Sequence, residues 1–187
     1  MSTLKTTNIQ HPSAVDPAIV LTSAGNFVGA GLDLIVNQSL SSSASVSINN
    51  CFTSAYKNYR IVLSGAMASV NGITIRLRVG GVDNSTANSY TYQRLLANST
   101  TVSGSRTQSN IAEFASIGTL QTIVSADVTG VANATSTGIM VTNSYPTSGA
   151  AVEFYSISHD QTTAYDGMTF TFGANFSGNI AIYGYRN

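Results

Sequence analysis

The chain has 187 residues, only 9% of them charged, with eight basic and eight acidic side chains and a formal charge of zero, while serine, threonine and asparagine make up about a third of it. These figures exclude a coiled coil, a helical bundle, a charge-driven disordered chain and a Lys/Arg-rich surface that could follow nucleic-acid phosphates. What remains is an all-β protein with hydroxyl and amide surfaces, whose near-neutral exterior favours association.

Residues 1–28 read as an extended N-terminal anchoring arm. They hold Pro12 and Pro17, one apolar run at Ile19, Val20 and Leu21, and a turn at Thr22–Gly25. Such a piece makes no core of its own, so Ile19–Leu21 is expected to add backbone pairing to a neighbour and serve as an assembly segment. Met1–Thr7 lacks the apolar core of a signal peptide, and no run approaches a membrane span of ~18 apolar residues. The expectation is synthesis in a cytoplasm, without membrane insertion.

From residue 29 to 187 turn signals punctuate apolar runs at short intervals, the pattern of an antiparallel β-sandwich or jelly roll of roughly eight to ten strands. Leu32–Val36 and Ser45–Ile48 come first, divided by a Ser41–Ser43 loop. The longest apolar signal follows a Phe52, Tyr56, Tyr59 turn: Tyr59, Ile61 and Leu63 share one face, and Arg60, Val62 and Ser64 the other, as an interior strand requires. Val70-Asn71-Gly72-Ile73 predicts a tight hairpin turn into Ile73–Val79, with Ile73, Ile75, Leu77 and Val79 on the apolar side. Loops are expected at Asp83–Asn88, Asn98–Asn110 and Asn143–Gly149, the last with Pro146. Between them lie strands at Tyr90–Leu96, Ile111–Ile117, Thr122–Val131, Gly138–Thr142 and Val152–Ser158. Gly167–Phe172 and Gly178–Asn187, linked through Ala174–Gly178, read as a final hairpin.

Chemistry is sparse. Cys51, the single cysteine, reads as a small buried hydrophobe beside Phe52. The carboxylates Glu113, Asp127, Glu153, Asp160 and Asp166 are isolated in sequence, so no catalytic pair of the glycosidase kind is expected. Ser156, Ser158, His159 and Asp160 do not form a triad, because neighbours on a strand face opposite ways. His11 and His159 stand far apart and no acidic calcium loop occurs, so neither a metal nor another cofactor is expected. Tyr90, Tyr92, Tyr145 and Tyr165 lie in or beside the polar loops, where an aromatic ring among amides and hydroxyls suits a sugar face; the alternative for Tyr90 and Tyr92 is core packing.

The combination of Phe52-Thr-Ser-Ala-Tyr-Lys-Asn-Tyr-Arg-Ile-Val62 with Phe176-Ser-Gly-Asn-Ile-Ala-Ile-Tyr-Gly-Tyr-Arg186 resembles a β-sandwich module of tailed-bacteriophage virion proteins, of tail-fibre or head-decoration type. Ile19–Gly25 is similar to short stretches of phage tail-fibre proteins. The resemblance implies a non-enzymatic virion protein, a homotrimeric knob or short fibre, with the arm bound to other virion proteins and loops contacting a host polysaccharide. A capsid decoration protein is the alternative, and a glycan depolymerase the less favoured one.

Overall fold

A computed structural model describes residues 8–9, 19–21, 27–28, 31–146 and 150–186. The described residues contain fourteen strands and no helix. Three short ones, β1 (Asn8–Ile9), β2 (Ile19–Leu21) and β3 (Phe27–Val28), pair antiparallel as a small sheet of their own. The other eleven are β4 (Leu32–Ile48), β5 (Asn58–Met67), β6 (Asn71–Val79), β7 (Val82–Asp83), β8 (Tyr90–Asn98), β9 (Thr101–Ser109), β10 (Ala112–Ile117), β11 (Thr122–Thr129), β12 (Thr137–Pro146), β13 (Ala150–His159) and β14 (Gly167–Tyr185). They form one antiparallel sheet in the order β10-β6-β14-β5-β11-β12-β13-β8-β9, with β4 also on β14 and β7 also on β6.

The expected all-β antiparallel class is therefore correct, but the strands belong to one continuous sheet that curls over its own apolar face. Curling brings β10 back onto β12 and β13, where the Ser116 N–H donates to the Glu153 carboxylate at 3.0 Å. The enclosed core takes one face of the inner strands, including Tyr59, Ile61 and Leu63 from β5, Ile73, Ile75 and Leu77 from β6, and Met168, Phe170, Phe172, Ile180 and Ile182 from β14. Val79, expected on the apolar side of β6, ends that strand and is exposed. Cys51 is buried, and desolvation pushes its thiol up to about 12.

Three expected turns do not form, two of them being continuous strand instead. The Ala174–Gly178 turn lies inside β14, because Phe176 points into the core and its neighbours keep pairing. β14 therefore bends rather than reverses: Gly167–Phe172 pairs with β6, and Phe176–Gly184 pairs with β5. On the opposite edge β4 follows the same bend, absorbing the Ser41–Ser43 loop as a bulge with Ser42 at φ 49°. The Ser42 N–H donates to Ser177 Oγ at 2.9 Å and closes the bulge.

The Asn71-Gly72 hairpin is the third. β5 and β6 do not pair with each other; they run end to end along β14, and Asn71 Nδ2 donates to the Gly173 carbonyl at 3.0 Å where β14 bends. Long strands that carry one sheet around a corner through bulges are the known device for folding a sheet onto itself. Two of the expected loops also become strand. Asn98–Asn110 is mostly β9, an exposed edge strand, and Asn143–Pro146 completes β12, leaving residues 147–149 outside the described residues.

Candidate functional site

The sites expected from the tyrosines separate on folding. Tyr90 and Tyr165 are buried. The Tyr90 hydroxyl accepts from the Leu77 N–H at 2.9 Å, and the Tyr165 hydroxyl accepts from Asn84 Nδ2 at 2.7 Å and meets His159 Nε2 at 2.6 Å. Their rings bracket the buried His159, at 4.1 Å and 5.2 Å between centroids, so neither ring is offered to a ligand. Burial raises both phenols and lowers His159. Tyr92 is half-buried and packs against the core. Tyr145 stands in β12 opposite Ala151, and its side chain lies outside the described residues. Ile19, Val20 and Leu21 do form a strand, β2, paired on both sides within the small sheet.

Two of the carboxylates treated as isolated meet inside. The Tyr155 hydroxyl lies 3.3 Å from Glu113 and 3.4 Å from Glu153. Glu153 is wholly buried, pairs with Arg94, and accepts from Asn143 Nδ2 at 3.0 Å. This cluster ties β10 to β8, β12 and β13. With Glu153 sealed from solvent, its geometry is that of an internal staple.

The outer face is where unused chemistry collects. Antiparallel register places Phe154 opposite Leu95, Val152 opposite Ala97, and Ala97 opposite Val102. With Ile123 on β11 and Met140 on β12, these make an apolar field whose large side chains are 42% to 67% exposed. A depression of about 340 Å³ lies within it, lined by Val62, Ile123, Val152 and Phe154 among others.

A polar ridge bounds that field. Arg60 donates to Ser125 Oγ at 2.6 Å and to the Tyr185 hydroxyl at 3.4 Å, and pairs with Asp127 at 3.5 Å. Tyr185 in turn donates to Asp127 Oδ1 at 2.5 Å. Beyond the ridge lies a second groove of about 640 Å³, whose walls include Asn58, Asp127, Thr129, Gly138, Met140, Ser156 and Tyr185. Arg186, at its rim, donates from Nε to both oxygens of Asp33 at 2.9 Å, and that bond is the main reason the Asp33 carboxyl sits below its usual value.

Sequence reasoning missed Tyr185, Asp127 and Arg60 as neighbours. Their outward parity was readable from alternation, but the register that sets β14, β5 and β11 side by side was not. Among the described residues no group of three His, Cys, Asp or Glu is placed to hold a metal. No family model matches the chain, and no curated protein matches it either.

Proposed function

We propose that this chain is a non-enzymatic structural protein of a tailed-phage virion, self-associating as a homotrimer and contacting the host surface. The observation that carries the assembly part is the apolar field of Leu95, Val102, Ile123, Val152 and Phe154 on the outer face of the sheet. An antiparallel sheet with one face on the core usually presents polar residues on the other, and an exposed apolar patch of this kind marks an interaction surface. Covering it with copies of the same chain removes it from water without calling on a charged partner, which a chain of zero formal charge would attract poorly. The virion setting and the number three come from the sequence resemblance.

Light scattering on the purified chain at micromolar concentration tests the assembly: a mass of three chains is expected. Leu95→Asp with Phe154→Asp should return one chain's mass with an unchanged β-type circular dichroism spectrum. A monomeric wild type would remove the assembly reading. Electron microscopy of virions carrying a labelled copy tests the setting, with density expected at the tail; label on the head would replace tail by head decoration.

A further inference from the structure

We infer that the groove beside Tyr185 is a binding site for an uncharged carbohydrate, with the tyrosine ring as stacking surface and Asn58, Asp127 and Ser156 as hydroxyl-recognising groups. This deepens the host-contact part of the reading above and is independent of the trimer.

The ring's attitude follows from register. β14 and β11 lie on opposite sides of β5, two strand spacings or about 9.5 Å apart. Tyr185 on β14 nonetheless places its hydroxyl 2.5 Å from Asp127 on β11. To reach that far the side chain must lie along the sheet rather than stand away from it. The ring therefore reaches across β5 and lines the groove along its length.

The floor suits a flat ligand. Thr129 pairs with Asn58 on one side and Gly138 on the other, so small or short side chains follow the tyrosine across the sheet. A Cβ on Gly138 would stand 3.3 Å from the Thr129 methyl, so the glycine keeps this floor level. Met140 adds an exposed apolar wall.

Electrostatics select the ligand class. Of the cations beside the groove, Arg60 is matched by Asp127 and Arg186 by Asp33. An ionic ligand would have to break one of these pairs, whereas a neutral one leaves them intact. Asn58, Thr129 and Ser156 are exposed and make no side-chain hydrogen bond to another described residue. A purely apolar ligand would leave these groups facing it unpaired, which is costly. An aromatic platform, an apolar wall, and amide, hydroxyl and carboxylate groups at one rim match a pyranose, with its C–H face and its ring of hydroxyls. The volume of about 640 Å³ falls within the range of small-ligand sites.

The test titrates the full chain, followed by saturation-transfer difference NMR, with maltohexaose, cellohexaose, mannohexaose and galactohexaose, and with hexagalacturonate as the charged control. Saturable binding of at least one neutral hexasaccharide in the millimolar range is expected. Tyr185→Ala and Asn58→Ala should each weaken it about tenfold, the loss of one or two good contacts. Tyr185→Phe, which keeps the ring, should weaken it less than Tyr185→Ala, and Gly138→Val should abolish it. Phe154→Asp, outside the groove, should leave the affinity per chain unchanged. No saturable binding of any neutral hexasaccharide, binding of hexagalacturonate alone, or binding indifferent to Tyr185→Ala would overturn the site. A monomeric chain that binds sugar would remove the trimer alone, and a trimer that binds none would remove the site alone.

Discussion

The ring of Phe176 occupies the space a side chain on Gly65 would need: a Cβ built there stands 2.5 Å from a ring carbon. Gly178, directly across from Gly65 in the ladder, is covered by the same ring, at 2.7 Å from its own Cβ position. The two glycines thus make room for one buried aromatic at the point where β14 leaves β6 and joins β5. The corner of the sheet is built from that exchange.

Gly65→Ala is accordingly expected to lower stability by about 1–3 kcal/mol through overpacking. Phe176→Ala should cost about 3–5 kcal/mol by leaving a cavity. Urea denaturation measures both, and in Gly65→Ala with Phe176→Leu the losses should be partly non-additive: the smaller side chain relieves the ring contact, while the Ser177 carbonyl oxygen still crowds the methyl. Additive losses would show that the ring and the glycine are energetically independent.

The buried Glu153 gives a second prediction. It is 0% exposed and relies on Arg94, the Ser116 N–H and Asn143 Nδ2. Arg94→Met leaves this carboxylate without its counter-ion and should cost about 3–5 kcal/mol. Replacing both partners, Arg94→Met with Glu153→Leu, should recover part of that loss, since no buried charge then remains while the Ser116 N–H is left without its acceptor. A double variant as unstable as the sum of the singles would refute the pairing.

His159 sets a pH dependence. It is buried against Tyr90 and Tyr165, and desolvation holds it below its usual 6.5. The unfolded chain therefore takes up a proton at a higher pH than the folded one. Stability is full above about pH 6.5 and falls as pH drops from there through the folded value, because protonation then favours the unfolded state. Denaturation midpoints should decline from about pH 7.5 to about pH 5 at low salt. His159→Phe should flatten the decline over that window while lowering stability throughout; an unchanged slope would mean that another group drives it.

Removing residues 1–28 should leave the main sheet folded. None of its eleven strands pairs with β1, β2 or β3, so the deletion takes no rung from its ladder. Circular dichroism and an unchanged urea midpoint check this; loss of soluble folded chain would show that the N-terminal residues contribute to the core.

Alternation alone located most of the strands and their inward faces. Tyr59, Ile61 and Leu63, or Met168, Phe170 and Phe172, could be assigned to the core because a two-residue period admits only one apolar side. The same parity set Arg60 on the face opposite Tyr59, and the lone Cys51 beside Phe52 could be read as core, whereas alternation in Val152-Glu153-Phe154 points the wrong way, since Glu153 is buried and Phe154 exposed. What alternation cannot encode is which strands become neighbours. Ala174–Gly178 and Asn71-Gly72 are composed like turns, and locally they would serve as turns. They remain strand because Phe176 finds a pocket between Gly65 and Gly178, and because the Asn71 amide is captured by the Gly173 carbonyl, partners 102 residues apart. The tyrosines picked out by their polar surroundings, Tyr90 and Tyr165, were drawn inside by His159, Asn84 and the Leu77 N–H. Tyr185 reached the surface groove only because β14, β5 and β11 came side by side. Local chemistry therefore determined the faces, while long-range hydrogen bonding and packing decided the corners, the strand order and the site.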